Sequence, residues 1–138
     1  MKWGRRLVPA VATEYKPPMT YDDFNAFCGS LRATTHVVQW GGSQVWKVGG
    51  KVFAIGGWQE DAPSFTFKVS DLSYQILKEQ AGLRPAPYLA SRGMKWIQHY
   101  AEPGLSDGEL RDYIRRSYDM ISQALPKKKR IELGLMIS

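Results

Sequence analysis

The stretch WKVGGKVFAIGG, residues 46–57, constrains the fold most, because two adjacent glycines separate two runs of apolar and β-branched residues. Gly49 and Gly50 can take the positive φ angles of a two-residue type I′ turn, so the flanking runs are predicted to pair as antiparallel strands. A phosphate-binding loop is excluded, because neither the Walker spacing nor the Gly-x-Gly-x-x-Gly fingerprint finds a register here. These glycines therefore predict a hairpin.

The turn also predicts a strand register. The expected pairs are Val48–Lys51, Lys47–Val52, Trp46–Phe53, Val45–Ala54 and Gln44–Ile55. Trp46 and Phe53 then share one face, which we expect to meet the helices, whereas Lys47 lies on the more exposed reverse face.

The remaining segments complete an α+β pattern. A Thr20/Asp23 capping box predicts a helix over 21–31, Ser70 caps a second helix over 71–80, and Ser106/Glu109 cap the strongest helix. The run SFTFKV alternates like a half-buried strand, MKWIQHY is a further strand, LRPAPYLASRG is a loop or edge strand, and ATTHVVQWGGS is an extended linker or short strand. In the second helix we expect three side chains to point inward: Leu72, Ile76 and Leu77.

This order predicts a two-layer α+β fold in which an antiparallel sheet packs on helices. At 138 residues the chain is long enough for one core. We expect a flexible N-terminal tail over 1–18, a single domain over 19–125, and a basic C-terminal tail over 126–138. Met19 is then the first residue that the fold needs.

The net charge of +6 belongs to the two ends of the chain. The N-terminal 18 residues carry four basic side chains and one acidic one, and residues 126–138 carry the same. Residues 19–125 hold eleven basic and eleven acidic side chains. Binding of nucleic acid by the folded part would thus require cations gathered on one face.

The sequence offers little for catalysis or for a cofactor. His36 and His99 are the only histidines, so a metal site would need carboxylates or Cys28 beside one of them, and we interpret both as surface or structural histidines. Cys28 falls on the apolar stripe of the first helix, where burial hides a thiol. We therefore predict no enzyme, no catalytic residue, no metal and no cofactor. No apolar run reaches the roughly 20 residues of a membrane span, so no membrane partner is expected.

The segments VWKVGGKVFAI, the FKV strand before a helix, RPAPYLASRGMKWI, LSDGELRDYIRRSY and ALPKKKR together resemble the MmcQ/YjbR family over about residues 20–130. The resemblance implies a small bacterial, cytoplasmic protein of YjbR-like architecture, similar to secretion chaperones and to the CyaY-like (frataxin) group. It also implies a DNA-binding surface described as a double wing. The matching basic positions here are Lys47, Lys51, Lys68, Arg84, Arg92 and Lys95.

Two functions remain open. The first is DNA binding through the phosphate backbone with weak sequence preference, assisted by the terminal cations Lys127, Lys128, Lys129 and Arg130. The second is a non-enzymatic protein- or peptide-binding module that resembles secretion chaperones and uses groove aromatics, for which the candidates are Trp58, Tyr88 and Trp96. The sequence makes no prediction of oligomeric state.

Overall fold

The computed structural model describes residues 19–57 and 63–137 of the chain. The described helices are α1 (Tyr21–Gly29), α2 (Asp71–Leu77), α3 (Asp107–Gln123) and α4 (Lys127–Glu132). The strands are β1 (Thr34–Gln39), β2 (Ser43–Val48), β3 (Lys51–Gly56), β4 (Phe65–Lys68), β5 (Leu83–Pro85) and β6 (Trp96–His99), and a 3-10 turn spans Ala90–Arg92. The predicted α+β class is confirmed.

The main helices begin where the sequence supplies side-chain caps. In the α1 capping box the Asp23 amide donates to Thr20 Oγ1 at 3.0 Å, and the Thr20 amide donates to Asp23 Oδ2 at 3.2 Å. Ser106 and Glu109 form the same box before α3. These bonds satisfy first-turn amides that have no partner inside the helix. The predicted starts are confirmed, although α1 and α2 end earlier than expected, at Gly29 and Leu77.

Six antiparallel strands form one sheet in the order β1-β2-β3-β4-β6-β5. The segment expected as a linker or short strand is β1, which forms one edge of the sheet. The proline-containing segment supplies β5 at the other edge, as one of its two predicted alternatives. Proline lacks an amide donor, so Pro85 is suited to an edge strand, where one side of the backbone needs no partner.

The hairpin register follows the prediction only next to its turn. Val48 pairs with Lys51 and Lys47 with Val52, but Trp46 pairs with Ala54 because Phe53 is an additional residue in a β-bulge. The predicted pairs from Trp46–Phe53 outward are therefore wrong by one residue. The prediction that Trp46 and Phe53 share the face toward the helices is confirmed, because both belong to the hydrophobic core. The bulge also turns Ala54, which the predicted register placed on the face of Lys47, into the core.

Helices α1 and α3 cover one face of the sheet. The Trp46 indole nitrogen donates to Asn25 Oδ1 in α1 at 2.8 Å. The Phe53 ring packs edge-on against Tyr118 of α3 with a centroid distance of 5.3 Å, and Phe67 stacks on Tyr113 at 5.8 Å. The core thus lies between the sheet and this helical layer, and the predicted two-layer arrangement is confirmed.

Two segments differ from the predictions. Leu72 and Ile76 of α2 are 71% and 53% exposed, so their predicted inward orientation is wrong. Leu77 is buried as predicted, and Tyr74 packs against the core with it. Tyr74 and Leu77 stand three residues apart on one side of a short helix, so that side is the one that packs. Residues 127–132, which belong to the predicted basic C-terminal tail, form α4, and the following Leu133 and Leu135 pack against the core.

Candidate functional site on the outer sheet face

The face of the sheet turned away from α1 and α3, here called the outer face, carries a row of residues across all six strands. In sheet order this row is Val37, Val45, Ile55, Thr66, Gln98 and Arg84. Because side chains alternate along a strand, the neighbours of these residues on β3, β4 and β6 point to the helical side, whereas those of Val37 on the edge strand β1 are exposed.

A polar network occupies the β4, β6 and β5 part of this row. Arg84 Nε and Nη2 donate to Gln98 Oε1 at 2.9 and 2.7 Å, and Gln98 Nε2 donates to Thr66 Oγ1 at 3.4 Å. The Arg84 guanidinium also lies 4.4 Å from the centre of the Tyr100 ring. Gln98 and Thr66 are fully buried, so this network fixes the arginine on the outer face while satisfying buried amide and hydroxyl groups.

The charges of the sheet are of one sign. The six strands contain four cations, Lys47, Lys51, Lys68 and Arg84, and no aspartate or glutamate. The carboxylates of the described residues lie on helices and loops, and three of them, Asp107, Asp112 and Asp119, pair with arginines one turn away within α3. The charge segregation that the composition could not show is therefore present in the fold.

A groove opens where β3 and β4 cease to pair. Their ladder ends at Ala54–Phe67. In place of the next strand-to-strand bond, Ser117 Oγ of α3 accepts from the Lys68 amide at 2.9 Å and donates to the Phe53 carbonyl at 2.7 Å. The hydroxyl thus stands between the two strands at the β3 bulge, next to where the groove forms.

The groove has a volume of about 330 Å³ and a mainly apolar lining. Its apolar residues are Trp40, Val52, Ile55, Leu89, Met94, Trp96 and Ile121. The other two lining residues are Lys51 and Lys68, and neither forms an ion pair within residues 19–57 and 63–137. An apolar cavity flanked by two unpaired ammonium groups suits a ligand that is partly apolar and carries negative charge.

The structure brings together only part of the predicted basic set. Lys47, Lys68 and Arg84 lie on the outer face, and Lys51 lines the groove. Arg92 is exposed on the 3-10 turn between the groove residues Leu89 and Met94. Lys95 is turned away, since its Nζ lies 5.1 Å from the centre of the Tyr74 ring on α2.

The four C-terminal cations belong to the helical layer. Lys127, Lys128 and Lys129 are exposed on α4. Arg130 Nε donates to the Leu125 carbonyl at 3.0 Å. Arg130 also lines a second, polar groove of about 370 Å³ with Arg32 and Arg115. Their predicted role as auxiliary phosphate contacts therefore concerns a different part of the molecule from the outer face.

The aromatic predictions have three different outcomes. Trp96 lines the groove and is only 4% exposed, and its indole nitrogen has no hydrogen-bond partner in the described part of the chain. Tyr88 is 76% exposed but is not among the groove residues, and Trp58 lies outside the described residues. Trp40 lines the groove and is half exposed, although it was not among the three selected groove aromatics; the Gly41-Gly42 turn that follows it was the available signal.

The two histidines and the cysteine are packed or hydrogen-bonded within the fold. His36 stacks on Trp46 and bonds Gln44, whereas His99 is buried and burial lowers its pKa, partly opposed by the charge of Glu102. Burial raises the pKa of the Cys28 thiol far above its usual value. Residues 19–57 and 63–137 hold no cluster of three or more potential metal ligands. Over the same ranges, none of the helices combines the length and apolar character needed to cross a membrane.

This chain resembles solved structures of other proteins and the members of one protein family. No curated protein matches this chain. The solved structure of Deinococcus radiodurans protein DR2400, described as a DUF419 domain, superposes with a TM-score of 0.75 at 22% identity, covering 89% of this chain and 94% of that one. A protein from Pseudomonas syringae superposes with a TM-score of 0.60 at 18% identity, covering 75% and 99%. These likenesses show the fold. The family model named YjbR matches residues 29–120, and so this chain belongs to the YjbR family.

Proposed function

We propose that the protein binds DNA through the outer face of its sheet, mainly by phosphate contacts and with weak sequence preference. The supporting observation is charge segregation: Lys47, Lys51, Lys68 and Arg84 stand on strands that carry no carboxylate. A surface of one sign concentrates its field on an approaching polyanion, whereas the paired charges of α3 largely cancel. Arg84 is held by Gln98, so the three lysines are the more adaptable phosphate contacts.

The test compares two double variants that lose the same charge. Lys47→Gln with Lys68→Gln changes the outer face, and Lys127→Gln with Lys128→Gln changes α4. Fluorescence anisotropy of labelled single-stranded and double-stranded DNA is measured for both variants over a range of salt concentrations. For duplex DNA each lost phosphate contact reduces the salt slope by about 0.9, so we expect the outer-face variant to lose about 2 from the slope.

The α4 variant is the matched control and is expected to bind nearly as well as the unchanged protein. Equal losses in the two variants would show that affinity follows total charge rather than the outer face. Unchanged affinity in the outer-face variant would reject the proposal.

The apolar groove favours a second candidate function, the binding of a peptide with apolar and acidic side chains. Seven of its nine lining residues are apolar or aromatic, and its two charged residues are lysines. Labelled peptides that combine phenylalanine or leucine with glutamate should then bind saturably and lose affinity on Trp40→Ala. Absence of saturable binding across such a set would remove this candidate.

A further inference from the structure

The groove beside Lys51 and Lys68 carries three separate features that a ligand would have to match. The first is an apolar wall with the indoles of Trp40 and Trp96. The second is the pair of lysines, which form no ion pair in the described part of the chain. The third is the Trp96 indole N–H, a buried donor without a partner among the described residues.

The unpartnered indole donor is the most specific of the three. Trp96 is 4% exposed, and buried indole nitrogens normally find an acceptor because an unpaired buried donor is costly. Its cross-strand neighbour is Lys68, a donor as well, so the immediate surroundings on β4 offer no acceptor side chain. An acceptor that enters the groove with its ligand would satisfy this group.

A single nucleotide unit matches the aromatic wall, the two lysines and the indole donor of the groove. A base has a flat π surface that stacks on aromatic side chains, ring and carbonyl acceptors at its edge, and flanking phosphates that lysines attract. A volume of about 330 Å³ lies at the lower end of ligand-binding cavities, so it suits one base rather than a run of bases.

We propose that this groove takes one unpaired base of single-stranded DNA, with the adjacent phosphates at Lys51 and Lys68. This inference rests on the proposed DNA binding and deepens it, because it selects the strand state of the ligand. A base in a duplex is stacked on both faces and paired at its edge, so it enters the groove only after it has been unstacked. The outer face therefore prefers a single strand to a duplex of the same sequence.

The test measures anisotropy with three labelled probes at one salt concentration. They are an oligothymidylate of about 12 nucleotides, its duplex, and the same single strand with abasic sites in place of its bases. The abasic strand keeps the phosphates and removes the rings. We expect the oligothymidylate to bind roughly tenfold more tightly than either of the other two, which corresponds to one base stacking on an aromatic surface.

Trp40→Ala is compared with Tyr88→Ala, since both side chains are exposed aromatics but only Trp40 lines the groove. Trp40→Ala should reduce binding of the oligothymidylate about tenfold and leave the abasic strand and the duplex unaffected. Tyr88→Ala should change none of the three affinities. Trp96→Phe keeps a ring and removes the donor, and is expected to cause a smaller loss with the oligothymidylate alone.

The outcomes separate this inference from the function on which it rests. Equal binding of all three probes, or an equal effect of Trp40→Ala on all of them, would overturn the base-binding groove while the dependence on Lys47 and Lys68 stands. If Lys47→Gln with Lys68→Gln leaves every affinity unchanged, the proposed function fails and the groove proposal fails with it.

Discussion

At the scale of one residue, the Ser117 hydroxyl links β3 and β4 at the point where their direct pairing ends. Ser117→Ala would leave the part-buried Lys68 amide and the buried Phe53 carbonyl without this partner. An unsatisfied buried polar group costs about 1 to 3 kcal/mol, so we expect the free energy of unfolding to fall by that amount. Urea denaturation followed by tryptophan fluorescence measures it.

The matched control is Ser122→Ala in the same helix. Among the described residues, the Ser122 hydroxyl bonds only the Asp119 carbonyl of its own helix, at 3.2 Å, so its loss is expected to cost well under 1 kcal/mol. A comparable loss in both variants would mean that the link between the strands has no special role.

Also at the residue scale, the buried His99 makes stability depend on pH. Burial lowers its pKa, so the unfolded chain takes up a proton at a higher pH than the folded protein does. Stability should therefore be complete above the ordinary histidine pKa of about 6.5 and should decline as the pH falls below it toward the folded-state pKa.

NMR titration of the His99 ring and urea denaturation at several pH values measure this effect. In His99→Phe the loss of stability between about pH 7 and pH 5 should become smaller. A His99 ring that titrates above the ordinary value would contradict the prediction.

At the scale of the elements, the hairpin turn offers two glycines with different surroundings. Gly49 and Gly50 have φ of 59° and 82°, so alanine is strained at both positions. A Cβ at Gly49 would also lie 2.6 Å from Leu125 Cδ1, whereas no atom of residues 19–57 and 63–137 lies within 4 Å of one at Gly50. We expect Gly50→Ala to cost about 1 kcal/mol and Gly49→Ala clearly more, as thermal or urea denaturation would show. Equal costs would exclude a packing role for the turn.

The helices and strands also show which structural features can be predicted from local sequence. The type I′ glycines, the capping boxes and the alternation of FTFK each act through neighbouring residues, and all of these elements are confirmed. The bulge at Phe53 was not predictable from the hairpin alone, because the Phe53 carbonyl has its partner in Ser117, 64 residues further along the chain. The exposure of Leu72 and Ile76 depends likewise on which side of α2 finds the core.

At the scale of the whole molecule, the amino-acid composition alone does not reveal the candidate site. Residues 19–125 have equal numbers of basic and acidic side chains, and only the fold sorts them into carboxylate-free strands and helices with internal ion pairs. The individual lysines could be named from the sequence. The groove could not, since it joins a turn at Trp40, the end of β4 and Ile121 of α3.

The C-terminal segment provides a prediction that concerns the whole molecule. Removing residues 126–138 takes away Leu133 and Leu135, which are partly buried against the core, and the Arg130 bond to the Leu125 carbonyl. Since full burial of a leucine contributes about 1.5 to 3 kcal/mol, we expect a chain that ends at Leu125 to lose about 2 to 4 kcal/mol of unfolding free energy.

Lys127→Gln, Lys128→Gln and Lys129→Gln, combined in one variant, remove three exposed charges and keep the packing of α4. Its unfolding free energy should stay within about 0.5 kcal/mol of the unchanged protein. If α4 contributes by packing, only the truncated chain is destabilised in urea denaturation; equal stability of the two proteins would show instead that α4 behaves as a tail. A loss of DNA binding on truncation therefore has to be compared with this variant before it is attributed to charge.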